Sequence, residues 1–298
     1  MTRRVWPAAA AAAAGIQVGS AMVATRMVVD QAGPASLALL RYALGVACLV
    51  PAILLSGSRA RFAARDLLPL ALLGITQFGI LIALLNYGLR SVPSARAALI
   101  FATFPLLTSL IAAALGRERL TFPKLGGVLL TMLGVGLALG DKSLQRGAAG
   151  EAWVGELAVF ASAVSGALCS VLYRPYLRRY PTLIVSAFAM LASVAFLALL
   201  AAGEGFFAAV PRFTTGGWLA VLFIGANSGV GYVLWLWALN HAPATHVTMF
   251  LALSPVTAAL LGAVFLGERL SFLALLGLAC VALGLWLAQR RAPNAAPG

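Results

Sequence analysis

Charge is scarce in this chain. Only 10% of its 298 residues are Asp, Glu, Lys or Arg, and 62% are hydrophobic. A soluble domain has about a quarter of its residues charged. So little charge cannot cover a globular surface, which excludes a soluble protein. With a mean hydropathy of +0.99, the chain reads as an all-α polytopic membrane protein. Carboxylates are scarcer still. There are eight, at positions 30, 66, 118, 141, 151, 156, 204 and 268, all at or near the ends of apolar runs. With no HExxH and no clustered acids, the constellation an integral-membrane enzyme needs is missing, and no enzymatic activity is expected. The three cysteines, Cys48, Cys169 and Cys280, lie inside apolar runs without CxxC spacing. That excludes a disulfide framework and a thiolate metal site, so neither metal nor cofactor is expected. The net charge of +13 sits on short connectors and is not interleaved with aromatics on a polar face. It therefore reports orientation and contact with anionic headgroups rather than nucleic-acid binding.

What the chain does have is long apolar runs. Crossing about 30 Å of hydrocarbon takes about 20 residues. Ten spans fit, at 7–28, 34–55, 67–90, 94–115, 122–139, 153–173, 182–202, 215–240, 244–265 and 272–288. The first is too long for the apolar region of a signal peptide and reads as a retained span. Short connectors make neighbouring helices antiparallel and leave no room for a soluble domain. With the N-terminus placed in the cytoplasm, inner connectors and tails hold 13 Lys and Arg and outer connectors hold 6. That bias predicts both termini inside. Trp6, Trp153 and Trp218 fall at predicted interfaces, where indole rings favour the headgroup level.

One sentence is written twice. Residues 104–122, FPLLTSLIAAALGRERLTF, align without a gap with residues 254–272, SPVTAALLGAVFLGERLSF. A shift of 150 matches 18 of the 60 positions in 79–138, including Pro105/Pro255, Glu118/Glu268, Arg119/Arg269, Gly127/Gly277 and Gly134/Gly284. Bias toward Leu and Ala does not align proline, glutamate and arginine. The chain is therefore read as two halves, 1–148 and 149–298, of five spans each. Five is odd, so the halves lie inverted in the membrane, as in many secondary transporters whose substrate site is at the midplane between repeats. Pro105 and Pro255 fall in the middle of the fourth and ninth spans. The expectation is a pair of kinked helices acting as hinges, against a plain structural kink. Glu118-Arg119 and Glu268-Arg269 are expected to anchor the following turns, with Thr121 and Ser271 capping the next helices.

The two five-span halves, the proline and arginine of the second span (Pro34 and Arg41) and the repeated Glu-Arg-Leu turn together resemble the drug/metabolite transporter superfamily, EamA type. The likeness covers nearly the whole chain and is greatest to bacterial exporters of aromatic amino acids and related metabolites. It implies a multi-pass protein of the bacterial inner membrane that exports substrate from the cytoplasm by alternating access. The resemblance also implies a central cavity lined by spans 1, 3, 4, 6, 8 and 9. A multidrug or sugar-phosphate carrier of the same superfamily is the alternative, though a phosphate carrier should bring several basic cavity residues. The expected partners are a small-molecule substrate and the lipid bilayer, and the protein is expected to be a monomer. Arg41 has no basic counterpart in span 7, so its role is asymmetric.

A polar side chain within a span turns toward protein or a wet cavity. Gln77 and Asn227, paired by the repeat, lie near mid-span. Phe78, Ile82 and Leu85 share one helical face, and Ser228, Tyr232 and Trp235 share its counterpart. These faces, with Phe101 of the fourth span, are expected to form an apolar substrate wall. Ser162, Ser165 and Cys169 beside Gly166 make a small polar stripe, and Gln17 with Ser20 another. Each stripe suits either close helix packing or a cavity wall. Arg26 and Asp30 have the spacing of an ion pair. Arg41, about 10 Å into its helix, can snorkel, pair with Asp30 or meet a substrate carboxylate. His241 and His246 flank a connector, and His246 is a candidate gating or binding residue. No acid lies at a midplane; Glu156, early in span 6, comes nearest. Facilitated diffusion is therefore expected, with proton coupling as the alternative.

Overall fold

The computed structural model describes residues 2–57, 61–92, 97, 100–101, 103–118, 121–143, 152–209, 211–266 and 272–289. Among these the chain is helical, with no strand. α1 is Thr2–Arg26, followed by a 3-10 turn at Val29–Gln31, and α2 is Pro34–Ser56. α3 (Ala64–Gly74), a π turn (Ile75–Ile80) and α4 (Leu81–Ser91) join into one rod. Then come α5 (Phe104–Ala114), α6 (Phe122–Ser143), α7 (Ala152–Leu172), the short α8 (Arg174–Leu177), α9 (Thr182–Gly203) and α10 (Thr215–His241). α11 (Ala244–Met249) leads through a 3-10 turn (Phe250–Ala252) into α12 (Leu253–Leu266), and α13 (Phe272–Gln289) closes the order. Among the described residues, six helices are long and apolar enough to cross a membrane. Four shorter apolar ones lie at Phe104–Ala114, Phe122–Gly134, Ala244–Ala258 and Leu275–Gly284. Leu54, Leu55, Leu199, Phe122 and Phe272 are each three-quarters exposed or more, as suits side chains that face lipid.

The helix ends follow local chemistry. α2 opens on Pro34, which has no N–H to satisfy. The next two backbone N–H groups, of Ala35 and Ser36, donate to Glu204 at 3.0 and 2.8 Å, and Ser36 Oγ donates to the same carboxylate at 2.7 Å. A carboxylate 168 residues away thus caps the helix and complements its dipole. Thr214 caps α10 by accepting from the Gly217 N–H at 3.1 Å. Gly57 ends α2 with φ of 59°, a conformation open to a residue without Cβ.

The fourth and ninth spans depart from the sequence expectation. A continuous kinked helix is expected in each, but both restart at the proline. α5 begins at Phe104 after a turn in which the Ile100 carbonyl accepts from Thr103 N and Oγ1 at 3.1 and 2.7 Å. The ninth span breaks through the 3-10 turn at Phe250–Ala252. Pro105 and Pro255 thereby fall in the first turns of α5 and α12, where a missing N–H and a fixed φ are tolerated. The π turn at Ile75–Ile80 is likewise not foreshadowed in the apolar pattern.

Glycines bring backbones together. α1 packs on α10 and α12, and α7 packs on α4 and α5. α2 packs on α10 and α9, α9 also packs on α3, and α6 packs along α13. At the last contact Gly134 lies on the Gly277 carbonyl and Gly284 on the Gly127 carbonyl. Gly15 and Gly19 of α1 likewise lie on the carbonyls of Phe250 and Ser254, in the broken ninth span. Small residues permit such approach, which drives helix association in lipid.

At one end of the bundle, Asp66 accepts from the Tyr180 hydroxyl at 2.7 Å and faces Arg179 at 3.6 Å. Nearby, Glu118 pairs with Lys124 at 3.3 Å and lies 3.9 Å from Arg174. Arg117 donates to the Val171 carbonyl near the C-terminus of α7 at 2.9 Å. At the turn after α5, the Thr121 carbonyl accepts from Leu125 N at 3.0 Å. Arg119, Glu268, Arg269 and Ser271 lie outside the described residues, as do the side chains of Arg26 and Asp30.

Candidate functional site

A central cavity of about 130 Å³ lies between α1, α2, the α3–α4 rod, α5 with the residues just before it, α10 and the broken ninth span. At the roughly 30 Å³ a water occupies in the liquid, this is room for about four waters. α1 brings Ala14, Gln17, Val18 and Met22, and α2 brings Arg41 and Tyr42. The α3–α4 rod brings Gln77, Phe78, Leu81, Ile82 and Leu85, and α10 brings Asn227, Ser228, Gly231, Tyr232 and Trp235. Phe101, Phe104 and Leu251 complete the wall. Gln77 and Phe78 sit on the π turn, a local widening found often at functional sites.

Most of this wall is apolar and held by edge-to-face aromatics. Tyr42 meets Phe78 at 4.8 Å between centroids, Phe78 meets Tyr232 at 4.1 Å, and Phe104 meets Trp235 at 6.5 Å. Such pairs fix ring orientation beyond what area burial does. The polar groups are few and placed. Gln17 Nε2 donates to the Asn227 carbonyl at 2.7 Å, and Asn227 Nδ2 donates to the Gln17 carbonyl at 3.0 Å, tying α1 to α10. Arg41 Nε donates to Ser228 Oγ at 2.6 Å, and that hydroxyl donates onward to the Ile224 carbonyl at 2.7 Å. The Arg41 guanidinium lies 5.5 Å from the centre of the Tyr42 ring, a cation–π distance. No Asp, Glu or His is among the lining residues. A void of about 10 Å³ adjoins the cavity, shares Met22, Phe101 and Leu251 with it, and is walled by both Pro105 and Pro255.

The sequence profile of the EamA-like transporter family matches residues 5–140 and again residues 153–289. The chain belongs to that family. A probable terminal-alkyne amino-acid exporter of Streptantibioticus cattleyicolor is 34% identical over 91% of this chain and 89% of its own length. An uncharacterized transporter of Archaeoglobus fulgidus is 26% identical over 92% of this chain and 95% of its own length. A solved crystal structure superposes with a TM-score of 0.80 at 25% identity, covering 95% of this chain and 96% of that one. This EamA-like protein is thus a multi-pass membrane transporter, from a family of transporters and not of enzymes.

Of the residues singled out from sequence, the EamA-like fold brings eleven to the cavity: Gln17, Arg41, Gln77, Phe78, Ile82, Leu85, Phe101, Asn227, Ser228, Tyr232 and Trp235. Others lie away from it. Ser20 Oγ bonds back to the Ile16 and Gln17 carbonyls at 3.1 and 3.0 Å. Ser165 Oγ bonds to the Ala161 carbonyl at 2.8 Å. Cys169 is buried with Sγ 3.7 Å from the Leu73 carbonyl. His246 sits half-buried on α11. Short hydroxyls on a helix satisfy themselves on the preceding turn, which is why the small stripe of α7 serves packing; there Gly166 receives the rings and methyls of Phe104 and Leu81. No residue of span 6 lines the cavity, and α2 takes its place. Ala14, Val18 and Met22 were missed, although they share one helical stripe with Gln17. Leu81 and Gly231 were missed too, each four residues after a mid-span amide.

Proposed function

We propose that this protein exports aromatic and other apolar or neutral amino acids, and related small metabolites, across the bacterial inner membrane. In this reading ten spans form two inverted five-helix repeats, 1–148 and 149–298, with both termini in the cytoplasm. The protein works as a monomer by alternating access. The double family match supports the two halves. So does the packing, since the 150-residue shift exchanges the Gly134–Gly277 and Gly284–Gly127 contacts. The carrying observation is the cavity itself, an aromatic wall carrying the amides of Gln17, Gln77 and Asn227. The name of the Streptantibioticus relative points to the same substrate class. A sugar-phosphate carrier is less well supported, because Arg41 is the only cation lining the cavity among the described residues. Both prolines line one void beside the cavity, which supports the reading that the two breaks act as hinges.

With no titratable carboxylate or histidine on the lining, transport is taken as facilitative. Proteoliposomes loaded with phenylalanine or leucine test this. Efflux should follow the amino-acid gradient, and neither a pH nor a sodium gradient should drive accumulation against it. Absence of amino-acid flux from folded protein refutes the exporter, and uphill transport refutes the facilitative step.

A further inference from the structure

We infer that Arg41 is the carboxylate-reading residue of the cavity, a guanidinium clamp that selects ligands with a free carboxylate over the corresponding esters and amines. The inference deepens the exporter reading and rests on it.

A guanidinium has five N–H donors and can grip a carboxylate from its Nε side or end-on with the two terminal nitrogens. Here Nε is committed to Ser228, and the Ser228 hydrogen is committed to the Ile224 carbonyl. The serine oxygen therefore acts as acceptor and fixes the plane of the fork. The end-on pair, with four N–H groups, is left over. Arg41 is half-buried, lines the cavity, and has no carboxylate within ion-pair distance among the described residues. A guanidinium inside hydrocarbon thickness costs free energy unless an anion or water meets it, and an incoming carboxylate fits the open fork with two parallel charge-assisted bonds.

A second observation agrees. The side-chain oxygens of Gln17 and Gln77 are buried at the same cavity and have no hydrogen-bond donor among the described residues. Both are neutral acceptors suited to an ammonium. A zwitterion thus finds a cationic fork for its carboxylate, amide oxygens for its amine, and the rings of Phe78, Tyr232 and Trp235 for its side chain. A cationic amine brings a like charge to the guanidinium and leaves the fork empty.

The test uses the full-length protein in proteoliposomes with four probes: phenylalanine, its methyl ester, phenethylamine and 3-phenylpropionate. Protein-free liposomes correct for passive leak of the ester and the amine. Hydrogen bonds to a charged group are lost when the carboxylate is masked, a loss worth roughly 10- to 100-fold. Phenylalanine is expected to lead the ester and the amine by at least about tenfold. 3-Phenylpropionate is expected to fall between. Arg41→Gln should abolish the gap between acid and ester, and Arg41→Lys, which keeps the charge but loses the fork, should narrow it. Thermal unfolding checks that each variant is folded; if Arg41→Gln is not, the four-probe series on the wild-type protein decides alone. Protein-dependent flux of ester and amine equal to that of phenylalanine overturns the clamp and leaves the exporter standing. No flux of any probe by folded protein overturns the exporter, and the clamp with it.

Discussion

The α3–α4 rod and α10 each present five residues to the cavity, and the positions differ by 150 in every case: 77/227, 78/228, 81/231, 82/232 and 85/235. Only the positions agree. The first rod offers Gln, Phe, Leu, Ile and Leu, where α10 offers Asn, Ser, Gly, Tyr and Trp. One rod passes through a π turn at the start of its lining, while the other runs 27 residues as uninterrupted α-helix. Even the matched amides differ. Asn227 is engaged with Gln17, whereas the Gln77 side-chain oxygen has no donor. The lining positions recur at a shift of 150, and the residues at them differ. Substitutions in the packing frame should therefore act alike in both halves, and substitutions in the lining should not.

The largest effect is expected in the frame. Gly134→Leu and Gly284→Leu each push a side chain into the backbone of the facing helix. Each should cost about 1–3 kcal/mol or more, read as a fall in unfolding temperature in detergent of similar size for both. If one is tolerated and the other is not, the frame is not equivalent. In the lining, Trp235→Ala should cut flux of aromatic amino acids roughly tenfold, about 1.4 kcal/mol, and its partner Leu85→Ala markedly less. Equal loss for small polar substrates would indicate collapsed packing instead. Next come the amides. Asn227→Leu removes one of the two bonds to Gln17, the one from Asn227 Nδ2, and should lower stability by about 1 kcal/mol, while Gln77→Leu, which removes an unpartnered buried oxygen, should be neutral or stabilising. A destabilised Gln77→Leu would show that the two amides are used alike. The smallest effect is expected at the breaks. Pro105→Ala and Pro255→Ala should each slow flux a fewfold, under about 1 kcal/mol in barrier, with folded yield nearly unchanged. Unchanged flux would reduce both prolines to structural stops.

How much of this could be read beforehand depended on the kind of signal. Long apolar runs and the repeated Pro and Glu-Arg-Leu spelling announce membrane helices and paired segments because lipid permits few alternatives. Gln77, Asn227 and Trp235 stood out because amides and a deep indole are anomalous in hydrocarbon. The π turn did not, since its residues Ile75–Ile80 differ from ordinary helix only in hydrogen-bond register. Pro105 and Pro255 announced a disturbance but not that the helix would end and restart there. Ser20 and Ser165 read as polar and yet bond to their own helix, which spacing alone cannot distinguish from a wet face. Arg41 was conspicuous, but its partner Ser228 is 187 positions away on another helix.

The carboxylate of Glu204 has a consequence for ownership of that arginine. By chain order α2 belongs to the first half. By attachment it leans to the second, since Glu204 holds its opening turn and Ser228 of α10 holds Arg41 from the side, whereas the first meets it through Asn86 on the Pro34 carbonyl and Phe78 on the Tyr42 ring. A cut drawn at the midpoint of the sequence would pass through both attachments. If the proposed halves move as two blocks, a seam along their boundary would pull Arg41, the one cation among the described lining residues, from its mooring on every stroke. On that reading α2 rides with α10 and with the loop after α9, a passenger of the other half.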